Sequence, residues 1–128
     1  MQVQSYKELI VWQKSILLVK EIYKITGKLP RDEQFGLISQ MRRSAVSTPS
    51  NIAEGYKRKG LGEYVQFLSI ADGSAAELET QLIILESVYT GNDCHVARNL
   101  LEEVQKMLLA MIKKLKLIPP SYTLHPKR

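Results

Sequence analysis

The side chains best equipped for chemistry cluster between residues 39 and 58, Ser-Gln-Met-Arg-Arg-Ser-Ala-Val-Ser-Thr-Pro-Ser-Asn-Ile-Ala-Glu-Gly-Tyr-Lys-Arg. Arg42 and Arg43 open the stretch, Ser44, Ser47, Thr48 and Ser50 follow, and Lys57, Arg58 and Lys59 close it. Guanidinium and ammonium groups of this kind have two ordinary uses. They contact phosphate oxygens, fixing a nucleic acid without reading its bases, or they pair with carboxylates on neighbouring elements. The first use makes Arg42, Arg43, Lys57, Arg58 and Lys59 a nucleic-acid-binding surface, which Lys113, Lys114 and Lys116 can extend. The second makes Asn51, Glu54, Glu77 and Glu79 members of a structural polar network that fixes helix register or subunit arrangement. Both readings stay open at this level.

Enzymatic chemistry finds no foothold in the sequence. The two histidines, His95 and His125, stand apart, and no Cys-x-x-Cys, His-Glu-x-x-His or Glu-x-x-His spacing occurs, so no metal is expected. Glu77 and Glu79 diverge by about 200° on a helix, too far to work as a carboxylate pair. Gly55, Gly60 and Gly62 follow no strand and form no phosphate-cradling loop. Cys94 has no base that the sequence can assign to it. The expectation is a protein without cofactor or catalytic residue, and not an enzyme.

Composition narrows the setting. The chain has 128 residues, 45% hydrophobic and 24% charged, which suits one soluble domain with a real core. A net charge of +5 and a pI near 9.4 permit contact with polyanions without demanding it. A single cysteine excludes an intramolecular disulfide. The longest apolar runs, Ile16–Val19 and Leu82–Leu85, are far below the ~20 residues that span a bilayer. Residues 1–8 lack the features of a signal peptide. A cytoplasmic protein with no membrane contact is expected.

The elements that must position these residues are helices. Ser5 and Glu8 form a Ser-x-x-Glu capping box, so the first helix is expected to begin there. It carries two apolar stripes: Leu9, Trp12, Ile16, Val19 and Tyr23, and beside them Val11, Leu18, Ile22 and Ile25. Two stripes suggest burial on two sides, and hence a subunit contact; Ile22→Lys is expected to break an oligomer while sparing helicity. The second helix is expected from Pro30–Asp32, with core positions Ile38, Met41, Ala45, Thr48, Ile52 and Tyr56. Its apolar stripe keeps phase across Pro49, which predicts a kink rather than a stop and restart, with Ser47, Thr48, Ser50 and Asn51 serving freed carbonyls.

The third helix, about Glu63–Tyr89, steps 4-3-4-3-4-3-4 through Tyr64, Leu68, Ala71, Ala75, Leu78, Leu82, Leu85 and Tyr89. Small residues at Asp72–Ala76 invite a close neighbour. The fourth carries Leu101, Val104, Leu108, Met111 and Leu115, and Pro119-Pro120 stops it. The prediction is an all-α, antiparallel up-down-up-down four-helix bundle over residues 1–118, followed by a flexible, solvated tail at 119–128. Trp12, Tyr23, Tyr56, Tyr64, Phe67 and Tyr89 all fall on core stripes, leaving few rings for base stacking and favouring backbone electrostatics.

Several segments carry a family resemblance. Leu9-x-Val11-Trp12-Gln13-Lys14, Gln40–Ala45, Pro49–Gly55, Phe67–Ala71 and Gly73-Ser74-x-x-Glu77-Leu78-Glu79-Thr80-Gln81-Leu82 resemble the 23S ribosomal RNA intervening-sequence proteins, over roughly residues 5–116. The accessory proteins of diversity-generating retroelements are similar. The resemblance implies a four-helix bundle that assembles as a homopentamer and associates with RNA or another nucleic acid, or with a protein partner. It transfers no catalytic residue. Five copies carrying +5 each would bring the assembly to +25. The rival expectation is a structural or protein-interaction scaffold whose charges serve pairing and solubility.

Overall fold

The computed structural model describes residues 5–119, 121, 122 and 124. Four helices make the fold: α1 (Ile10–Thr26), α2 (Leu37–Tyr56), α3 (Leu61–Val88) and α4 (His95–Lys116). Among the described residues there is no strand. Each helix packs on the next in sequence, and α4 packs back on α1. Contacts at the ends show how they lie. Tyr89, just past α3, hydrogen-bonds Glu33, just before α2. At the other end of the pair, Gly55 of α2 abuts Tyr64 and Phe67 of α3.

The helix starts differ from expectation. The Ser5–Glu8 capping box forms, but on a single 3-10 turn, Tyr6–Glu8; extended Leu9 then resets the chain before α1. A second 3-10 turn, Arg31–Glu33, takes the place of the expected start of α2. Gly36, at φ −112 and ψ −110, breaks it, and α2 begins only at Leu37. α2 then runs without interruption through Pro49, so the helix does not stop and restart there. Proline removes the donor to the carbonyl of residue 45. The flanking side chains bond the carbonyls around that position: Thr48 that of Ser44 (3.2 Å), Ser50 that of Val46 (2.8 Å), Asn51 that of Ser47 (2.8 Å).

The core follows the predicted seams on α2 and α3, where Met41, Ala45, Ile52, Leu68, Ala75, Leu78, Leu82 and Leu85 are buried. Each large apolar side chain so buried contributes about 1.5–3 kcal/mol. On α4 the buried line is Ala97, Leu101, Val104, Leu108 and Ile112, while Met111 and Leu115 lie at its margin. A straight helix of 3.6 residues per turn drifts away from a strict 3-4 repeat, which moves the last turn by one position.

On α1 the roles of the two stripes are settled. Val11, Leu18, Ile22 and Ile25 face the core of the chain's own bundle, and Ile22 is 0% exposed. The stripe of Trp12, Ile16 and Val19 is half-buried and lines a surface groove against Val46, Pro49 and Ala53 of α2. Ile22→Lys would therefore bury a charge and unfold the bundle rather than report on assembly.

Helices α2 and α3 approach closely at Gly55. A Cβ there would stand 2.7 Å from the Phe67 Cβ and 3.1 Å from Tyr64. Gly73, in the small-residue stretch of α3, instead faces open space. Ser74 of that stretch does meet its neighbour, sharing a 2.8 Å hydrogen bond with Ser47.

Candidate nucleic-acid interface

The five predicted basic residues lie towards opposite ends of α2, Arg42 and Arg43 in its first half and Lys57, Arg58 and Lys59 just past its last residue. Arg43 and Lys57 lie fourteen residues apart, about 20 Å along a helix. The two groups cannot make one patch on this chain.

Arg42 is committed within the bundle. Its Nε donates to the Thr26 hydroxyl at 2.9 Å, its Nη2 to the Tyr23 carbonyl at 3.4 Å, and its guanidinium lies 4.3 Å from the Tyr23 ring centroid. Those acceptors belong to the last turn of α1, where the dipole is negative, and the Tyr23 carbonyl accepts the Gly27 N–H at 3.0 Å as well. Arg42 thus ties α2 to the C-terminal end of α1. Its partners are a hydroxyl, a carbonyl and a ring, where the sequence suggested a carboxylate. Arg43, one residue on, points away from the core and has no ion pair among the described residues.

At the far end of α2, Arg58 is also engaged. It pairs with Glu54 (3.2 Å) and Glu63 (3.7 Å) and stacks over Phe67 at 4.8 Å. Lys57 and Lys59 on either side are exposed and have no ion pair among the described residues. The proposed polar network of Asn51, Glu54, Glu77 and Glu79 does not come together. Asn51 bonds within its own helix. Glu54 holds Arg58, Glu79 accepts from Gln105 of α4 at 3.4 Å, and Glu77 is exposed with no ion pair among the described residues.

Lys113, Lys114 and Lys116, at the end of α4, join Lys57 and Lys59. The start of α1 is the reference for this: Glu8–Val11 line a groove with Met107, Ala110 and Met111, and Tyr6 and Trp12 line another with Pro49 and Ala53. The ends of α2 and α4 therefore share the end of the bundle at which α1 begins. Among the described residues, seven cations stand there (Lys7, Lys57, Arg58, Lys59, Lys113, Lys114 and Lys116) against three carboxylates (Glu8, Glu54 and Glu63), leaving +4, beside a net charge of +5 for the whole chain. Two helix C-termini also point there, and a cation beside such a terminus gains about 0.3–1 kcal/mol.

The described part of the C-terminal segment returns to this end. Leu124, in the stretch expected to be solvated, is buried and donates its N–H to the Lys59 carbonyl at 2.7 Å. Tyr122, whose own N–H bonds the Pro119 carbonyl at 3.0 Å, is 53% exposed. Helical periodicity gives no signal for this ring, because Tyr122 lies past the last helix.

No group of three or more His, Cys, Asp or Glu side chains suited to a metal occurs among the described residues; His125 lies outside them. Cys94 is buried, and burial pushes its thiol pKa up, away from the reactive thiolate. No described helix is long and apolar enough to cross a membrane.

Comparison with known proteins agrees with the bundle. A crystal structure from Bacteroides thetaiotaomicron, titled as a protein with unknown function from the S23 ribosomal protein family, superposes with a TM-score of 0.72 at 27% identity, covering 81% of this chain and 99% of the other. No curated protein matches. The sequence matches the family described as 23S rRNA-intervening sequence protein over residues 7–110, nearly all of the four helices. By that match the chain belongs to the 23S rRNA-intervening sequence protein family.

Proposed function

We propose that this chain is a non-enzymatic, cytoplasmic, homo-oligomeric bundle that associates with RNA or another nucleic acid through the lysine-bearing end where α2 and α4 finish. The observation that carries this reading is the set of exposed lysines at that end, Lys57, Lys59, Lys113, Lys114 and Lys116, with no ion pair among the described residues. Lysines held near one another attract phosphates, and each phosphate neutralised steepens the dependence of affinity on salt. Arg42 and Arg58 serve the fold in this reading, and Arg43 stands apart. A ring of five copies would repeat the basic end around an axis and strengthen its field.

Binding of a structured RNA across a salt titration tests it. The wild type is expected to lose affinity steeply with salt. A Lys57→Ala/Lys59→Ala/Lys113→Ala variant is expected to show a log–log slope shallower by about 2–3. An equal slope, or no binding at low salt, sinks the reading.

A scaffold reading has its own support in exposed apolar side chains: Phe35 at 91%, Leu117 at 86%, Val88 at 62% and Ile10 at 60%. The α1–α2 groove adds a half-buried apolar strip. Light scattering of Ile16→Lys tests the assembly. Its partly exposed site allows the bundle to fold, so a lower mass with intact helicity supports the subunit contact, and an unchanged mass removes it from this groove.

A further inference from the structure

Single-stranded nucleic acid differs from duplex in what it offers a protein. Its bases are free, and an exposed aromatic ring beside lysines is what captures them. Tyr122 meets that description. The residue is 53% exposed. Two residues on, Leu124 is buried and hydrogen-bonded to the Lys59 carbonyl at 2.7 Å, so the Tyr122 backbone lies within about 7 Å of that anchored residue. Three residues back, the Pro119 carbonyl receives the Tyr122 N–H at 3.0 Å. The Tyr122 backbone is thus bonded at one side and followed by an anchored residue at the other, which lowers the ordering cost of binding. Lys57 and Lys59 stand on the α2–α3 turn to which Leu124 is bonded, and Lys113, Lys114 and Lys116 lie at the end of α4 that leads into the segment. Tyr122 also lies beyond residues 7–110, the stretch shared with the family.

We propose that the basic end of this bundle selects single-stranded RNA or DNA, with Tyr122 as the platform on which a base stacks and the surrounding lysines as contacts to the backbone phosphates. The proposal rests on the nucleic-acid reading above and adds the class of substrate and the residue that chooses it. Phosphate contacts alone serve duplex and single strand alike; a stacked base is available only in the latter.

The test is fluorescence anisotropy with a short unstructured RNA strand, the same sequence as DNA, and a blunt RNA duplex, at matched salt. Wild type, Tyr122→Ala, Tyr122→Phe and Lys57→Ala/Lys59→Ala are compared. The wild type is expected to prefer both single strands over the duplex. Tyr122→Ala is expected to weaken single-strand binding on the order of tenfold, leaving the salt slope and the duplex affinity unchanged, with Tyr122→Phe restoring it. The double-lysine variant is expected to flatten the salt slope for all three probes. Single-strand binding that Tyr122→Ala leaves intact, or that Tyr122→Phe fails to restore, overturns the stacking proposal while the nucleic-acid reading stands. Absence of binding to every probe at low salt overturns both. Binding to anionic vesicles alone does the same, assigning the lysines to a lipid surface.

Discussion

The two ends of α2 carry the same kinds of side chain and use them differently. At the N-terminal end, Arg42 finds carbonyl, hydroxyl and ring acceptors on the last turn of α1 and becomes a tie between helices. At the C-terminal end, Arg58 is taken up by Glu54, Glu63 and Phe67, and the two lysines beside it project freely. Cationic character therefore does not mark a ligand site by itself. What marks one is charge left over after the fold has used what it needs.

The lysine end is supported by the tight contact between Gly55 and α3, and breaking it should give the largest effect. Gly55→Ala places a methyl 2.7 Å from the Phe67 Cβ. Separating the helices to admit it should cost about 1–3 kcal/mol, read as a lower denaturant midpoint, with the salt slope for nucleic acid changed as well.

Next in size is an alkaline limb confined to the same region. Burial, with Tyr56 beside it, pushes the Tyr64 pKa up to about 12. Its neutral form is favoured by folding, so this contribution is complete below the unfolded pKa near 10 and is lost as pH rises towards 12. Stability should fall across that window by up to about 1.4 kcal/mol per pH unit, and Tyr64→Phe should flatten the fall in pH-dependent denaturation.

At the other end, Arg42→Ala should cost about 1–2 kcal/mol in chemical denaturation while leaving affinity for nucleic acid unchanged. If affinity falls instead, the separation of the two ends is wrong. Arg43→Ala should stay within about 0.5 kcal/mol of wild type. Its effect on the salt slope says whether this exposed arginine takes part in binding after all.

Much of the fold was legible because the pattern that encodes it is local. The steps from Tyr64 to Leu85 place the core face of α3, and every residue named on that seam is buried. On α1 the pattern was ambiguous, since two adjacent apolar stripes satisfy the helical period equally well. Only packing decides that Leu18 and Ile22 go inward while Trp12 and Ile16 line a groove. Helix starts misled for a related reason: Ser5 and Pro30 are good initiators, but each begins a 3-10 turn that the next few residues end. The candidate site was less legible. Arg42 reaches acceptors sixteen and nineteen residues away, and no spacing rule connects them. Tyr122 follows Pro119 and Pro120, where helical periodicity has ended, and the segment is tied to Lys59 by one backbone hydrogen bond that Leu124 makes two residues on.

The single thiol carries a practical consequence. Cys94 is 1% exposed where α4 begins, with its acidity suppressed by burial. A native molecule should therefore be silent towards thiol reagents, and a cysteine introduced on the surface would be labelled against almost no background. Cys94 itself then becomes a clock. The rate at which it reacts reports how often the corner between α3 and α4 opens, and comparing that rate with global unfolding says whether this corner breathes alone or only with the whole bundle.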